Sequence, residues 1–134
     1  MTHISSRNYR GFTLVEIMIV VAIIALLAAM AGPNLLRSRR RAQAVQTLDD
    51  LRIIHASIDI YALEFNKMGG AAVSWSDIRS YIKTGCRLGA SGGNDCIGNA
   101  FVIPSVDVTP KVPIATFNAL SNVAPTSFWS PFNN

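Results

Sequence analysis

The sequence is poor in the residue types from which most active sites are built. It contains two histidines and two cysteines. His3 lies in a polar N-terminal stretch and His55 in a helical pattern, and neither stands beside a nucleophile motif, so acid–base or covalent catalysis has no evident constellation. Cys86 and Cys96 are ten positions apart around "RLGASGGND", without the CxxC spacing of a zinc or redox centre. Asp95 and Asp107 could contribute to a calcium loop, but two isolated carboxylates fall short of a ligand set. The chain therefore reads as a non-enzyme without cofactor or metal. Charge is also scarce, at 15% of residues, and local. Five of the twelve basic residues are Arg37, Arg39, Arg40, Arg41 and Arg52, and without Arg7 and Arg10 the balance is ten basic against eight acidic side chains. That excludes a broadly polybasic nucleic-acid binder, and no internal repeat points to a solenoid.

What the chain has in excess is one apolar run. Phe12 to Ala31 is hydrophobic on every face and matches the ~20 residues that span a hydrocarbon core. Residues 1–11, "MTHISSRNYRG", read as a short targeting leader. Gly32-Pro33 closes the run, where proline predicts a stop or a kink. The pattern then resumes: Val45, Leu48, Leu51, Ile54, Ile58, Tyr61 and Phe65 recur every three or four residues between charged positions, which predicts an amphipathic half-helix over 32–66. Pro33 is thus read as a bend within one long helix. Gly69-Gly70 is assigned to the left-handed turn at its end.

Residues 67–134 are read as a small globular domain. Ser74 and Asp77 predict a second helix over 75–83 with Trp75, Ile78 and Ile82 facing inward. "AFVI" (100–103), "VDV" (106–108) and "IATF" (114–117), punctuated by prolines, predict a small irregular sheet, and the tail is expected to pack Phe128 and Trp129 on the core. The expected class is α+β. A disulfide between Cys86 and Cys96 would close a small loop and contribute roughly 2–3 kcal/mol; two unpaired thiols are the alternative.

One residue does not suit the apolar run. Glu16 places a carboxylate where burial in lipid costs about 2.5–3.5 kcal/mol, so it needs a partner. A cut after Gly11 would make Phe12 a free amine four residues upstream, able to meet Glu16 of its own chain or of a staggered neighbour. Such a pair sets register, because a misplaced subunit leaves a charge unpaired.

"RGFTLVEIMIVVAIIALLAAMAGPNLL" resembles the class III signal of type IV pilins and type II secretion pseudopilins. The resemblance implies cleavage by a prepilin peptidase between Gly11 and Phe12, N-methylation of Phe12, a requirement for Glu16 in assembly, and Pro33 as the kink of the long helix. It implies a pilin-like fold, a subunit stored in the inner membrane with its C-terminal domain outside the cytoplasm, and polymerisation with copies of itself through an assembly platform and an ATPase. Pilus subunit and secretion pseudopilin are both compatible with it. Rival readings are a secretory signal cut after Ala29-Met30-Ala31, giving a secreted binding protein, and a plain single-span anchor carrying a membrane-anchored binding module. The arginine cluster runs against the leader, since the positive-inside rule would put that side in the cytoplasm. "RSRRRAQ" also suggests contacts with lipid headgroups, with acids of neighbouring subunits such as Asp49, Asp50 and Asp59, or, as a secondary property, with DNA.

Overall fold

The computed structural model describes residues 11–133. Residues 1–10, which hold Arg10 and all but the last residue of the expected leader, lie outside the described residues. The chain divides after Leu36 into two units, each described by itself.

Helix α1 runs Leu14–Glu64 and includes Pro33. In the first unit it is exposed on all faces, and its most apolar 18-residue window has a mean hydropathy of 2.8, long and apolar enough to cross a membrane. The start of α1 has a local cause. Thr13 Oγ1 accepts the backbone N–H of Glu16 at 3.3 Å, satisfying one of the donors a helix leaves free at its N-terminus. Pro33 brings no N–H for the carbonyl four residues back, yet helical structure continues through it.

In the second unit α1 presents a buried stripe of Ala44, Thr47, Leu48, Leu51, Ile54 and Ile58. The expected stripe is displaced at both ends: Val45 and Phe65 are exposed and Ala44 takes the inner position. Onto the stripe pack short elements: α2 (Trp75–Ile78) with a 3₁₀ turn Arg79–Tyr81, α3 (Arg87–Ala90), α4 (Ile114–Leu120) and a 3₁₀ turn Thr126–Trp129. Ile78, Ile82, Leu88, Val112, Leu120, Trp129 and Phe132 complete the core, each large apolar side chain contributing about 1.5–3 kcal/mol. Trp129 is fully buried, and its indole N–H donates to the Ala124 carbonyl at 3.3 Å.

Two expectations are corrected here. Among the described residues there is no β-sheet, only an isolated bridge between Asn94 and Ala100, so the β part of the α+β class is not found. "IATF" is the first half of α4, preceded by Pro113 at the N-cap, and segments 100–103 and 106–108 are irregular. Their short β-type runs lack a partner strand: Gly70 N–H bonds to Val106 O and Val106 N–H to Ala71 O, and the pairing goes no further. The end of α1 is also not made by the glycine pair. Asn66, at φ +46°, takes the left-handed position, with Lys67 N–H on Ala62 O at 2.8 Å, a Schellman-type closure.

α2 begins as Ser74 and Asp77 predict, with one difference. The Asp77 carboxylate accepts both the Ser74 backbone N–H (2.9 Å) and the Ser74 hydroxyl (2.6 Å), so the hydroxyl donates instead of capping. Those two bonds, the hydroxyl first, hold the Asp77 carboxyl below the usual carboxylate range. Gly93, at φ +90°, lies under the Trp75 ring, where a Cβ would come within 3.0 Å.

A pH-dependent tie joins the end of α1 to the 3₁₀ turn. The Tyr81 hydroxyl donates to Glu64, and that bond, followed by partial burial and the Glu64 charge, pushes the phenol up to about 12. The protonated phenol is the favoured form, so the tie is complete below the ordinary value of 10 and is lost as pH rises through about 12. In an ultraviolet pH titration, Glu64→Gln is expected to return this tyrosine toward 10; an unchanged curve would refute the assignment.

Candidate functional site

The residues expected to serve processing, Gly11 and Phe12, lie just before α1, and Glu16, expected to serve assembly, lies in its first turn. Gly11, Phe12 and Thr13 precede the helix without regular structure, and Gly11 and Phe12 are exposed, as a junction open to a peptidase requires. Glu16 is the third helical residue and is exposed on a helix whose flanking side chains, Val15, Ile17, Met18 and Ile19, are all apolar and exposed. An acid in the first turn is favoured by the helix dipole, so Glu16 suits its local position even where lipid disfavours it. Sequence reasoning missed Thr13. Its signal was the "TLVE" spacing, a Thr followed three residues later by Glu, which is a capping pattern in its own right.

The other expected residues go to structural tasks. Cys86 and Cys96 are not bonded to each other, which corrects the disulfide expectation. Cys86 is the N-cap of α3, its Sγ accepting Gly89 N–H at 3.4 Å, whereas Cys96 Sγ donates to the Gln43 carbonyl of α1 at 3.3 Å and lies 3.4 Å from Thr47 Oγ1. The loop between them is shaped by Asp95 instead. This residue is 3% exposed, and its Oδ1 accepts the backbone N–H groups of Ile97, Gly98 and Asn99 at 2.8–2.9 Å while Oδ2 accepts the Thr116 hydroxyl. Asp95 is therefore committed to its own loop and to Thr116 of α4, and Asp107 lies against Gly69. Among the described residues no three His, Cys, Asp or Glu side chains gather as a metal site. His55 sets its ring edge-on to Phe132, 6.2 Å away.

Of the three acids offered to the arginine cluster, two are already engaged. Asp50 is 5% exposed and paired with Arg87 Nη2, and Asp49 pairs with Arg52 at 3.0 Å. The ion pair fastens α1 to Arg87 at the start of α3, and Arg87 also donates to the Asn94 carbonyl of the following loop at 3.3 Å. On the surface, Val102, Val108 and Ile114 are exposed around a groove of about 560 Å³ that Lys111 also lines.

The described residues thus comprise an exposed N-terminal segment, a capped apolar helix of membrane-spanning length with an acid in its first turn, and a small helical unit that follows it in the chain. The chain carries the prokaryotic N-terminal methylation motif, matched over residues 6–32. Its relatives are type II secretion core proteins and type IV pilins. It is 35% identical over 63 residues to the type II secretion system core protein G of Pectobacterium carotovorum, covering 47% of this chain and 40% of that protein. To the type IV wide pilus major component of Thermus thermophilus it is 64% identical over 36 residues, 27% of this chain and 28% of that one. To the type IV major pilin of Myxococcus xanthus it is 31% identical over 124 residues, 91% of this chain and 52% of the pilin. The aligned parts thus span about half, or less, of these relatives' lengths. No solved structure matches the chain.

Proposed function

We propose that the chain is a pilin-like structural subunit of a type IV filament, made as a precursor. It is cut by a prepilin peptidase between Gly11 and Phe12 and N-methylated at Phe12. It is then held in the inner membrane by the first half of α1, with the second unit outside the cytoplasm, and polymerised by an assembly platform and its ATPase. The observation that carries this reading is the methylation motif lying directly on the capped start of α1, apolar apart from Glu16. Moving that helix from lipid into a bundle gains little from hydrophobicity, because lipid tails are as apolar as the bundle. Close packing and the Phe12 amine–Glu16 pair provide the specificity, and head-to-tail contacts leave the polymer open-ended. The exposed apolar groove at Val102, Val108 and Ile114 suits contact with another subunit.

The second reading is a pseudopilin acting in protein export, favoured by the similarity to core protein G. The pilin similarity extends along nearly the whole chain, whereas that to core protein G covers less than half, so the pilus reading is preferred.

Intact mass and N-terminal sequencing of the protein from cells test the proposal. A mature form starting at methylated Phe12 is expected. A start at Gly32 would make this a secreted protein, and an uncut N-terminus would leave a plain anchor; either result overturns the filament reading.

A further inference from the structure

The arginine cluster is the one sequence motif the filament reading leaves unused. Arg37, Arg39, Arg40 and Arg41 are all exposed, and none of their side chains makes an ion pair or hydrogen bond with the described residues. The chain offers no acid between Glu16 and Asp49, so four positive charges stand uncompensated on α1. Their arrangement is not uniform. Arg37 and Arg41 are one helical turn apart and share a face, and together with Asn122 and Val123, just beyond α4, they line a cleft of about 240 Å³. Arg39 and Arg40 do not line it.

This is the chemistry of an anion site. Two guanidinium groups supply planar, permanently charged donors suited to phosphate oxygens, the Asn122 amide adds two neutral N–H donors, and Val123 gives an apolar wall. The position along the chain specifies the anion further. The cluster begins six residues after Ala31, the end of the ~20 residues that span a hydrocarbon core, which is the depth of lipid headgroups.

We infer that the Arg37–Arg41–Asn122 cleft binds the phosphate of an anionic phospholipid. The inference rests on the membrane-stored stage of the proposed function. It also gives the cluster a task on the extracytoplasmic side, where the positive-inside rule does not predict it: the bound headgroup neutralises the charge while the subunit waits in the membrane.

The test compares two variants of equal charge. Full-length protein is reconstituted in nanodiscs of phosphatidylcholine with a minor fraction of phosphatidylglycerol, and the association of spin-labelled phosphatidylglycerol is measured against spin-labelled phosphatidylcholine. The R37A/R41A double variant is expected to lose roughly 30-fold in relative affinity for the anionic lipid, the scale of two arginines near a membrane surface. The R39A/R40A variant, with the same net charge, should lose several-fold less, and Asn122→Ala an intermediate amount. Equal losses in the two double variants would reduce the effect to diffuse charge and overturn the site, as would a wild type that shows no preference for the anionic lipid. Added inorganic phosphate identifies the source: displacement of the labelled lipid supports a site that takes any accessible phosphate, and no displacement supports one that needs the anchored headgroup. Short duplex DNA that binds the detergent-solubilised protein, with both double variants equally impaired, would overturn the lipid assignment in favour of a nucleic-acid surface. Both double variants should still be cut after Gly11 and recovered in the membrane fraction, which separates failure of this site from failure of the filament reading.

Discussion

Glu16→Ala is expected to leave the precursor inserted and cut but to yield no filaments. The helix start does not depend on the carboxylate, because Thr13 Oγ1 binds the backbone N–H of residue 16, which alanine retains. Alanine also removes the about 2.5–3.5 kcal/mol that a carboxylate costs inside lipid, so insertion does not suffer. What disappears is the partner of the Phe12 amine. In the bilayer-like interior of a filament an unpaired amine incurs a penalty of similar size, about 100-fold in the equilibrium of each added subunit. Sheared-filament yield by immunoblot is expected to fall by about that factor or below detection, while N-terminal sequencing still finds Phe12. Glu16→Gln, which keeps shape and hydrogen bonding without charge, should fail equally. Normal filaments from either variant would sink the pairing argument. Thr13→Val is the complementary control: it removes the cap, at about 1 kcal/mol, and keeps the charge, so filaments persist.

The second large effect lies in the globular unit. Asp50→Ala is expected to destabilise it by about 3 kcal/mol, because the change strands Arg87, which already has one buried nitrogen, Nε, without a partner. Arg87→Met should cost a similar amount by leaving the buried Asp50 carboxylate unpaired. The double variant Asp50→Leu/Arg87→Met removes both charges and should recover most of the loss, since apolar pairs of similar volume often replace buried ion pairs without cost. Chemical denaturation of the full chain in detergent, followed by Trp129 fluorescence, measures all three. Strictly additive losses would mean that the two residues act separately and that the pair does not fasten α1 to α3.

The long helix was legible for simple reasons. A 20-residue apolar run and a 3.6-residue periodicity are one-dimensional signals, and both survive into α1 whatever the rest of the chain does. The inward faces of Ile78, Ile82 and Trp129 were likewise visible from hydrophobicity alone. The small sheet was not there to be found. Short runs such as "IATF" fit strand or helix equally, and what decided between them was Pro113 at a helix N-cap and the lack of a partner strand. The cysteines misled for a related reason: count and spacing say nothing of direction, and in the fold one sulfur caps α3 while the other faces α1. Asp50 looked like one more surface acid of the long helix because its partner, Arg87, is 37 residues away in sequence.

The sequence by itself determined the motif around Gly11–Phe12 on which the proposed cleavage rests, the membrane-length helix and the unusual charge at Glu16, because each is written in one local stretch and depends on solvent and backbone alone. Only the tertiary structure decided which charges remain free. Asp50 and Asp95 are consumed inside the fold, while Arg37 and Arg41 are left open beside Asn122, since pairing between distant residues is set by packing and no local pattern encodes it.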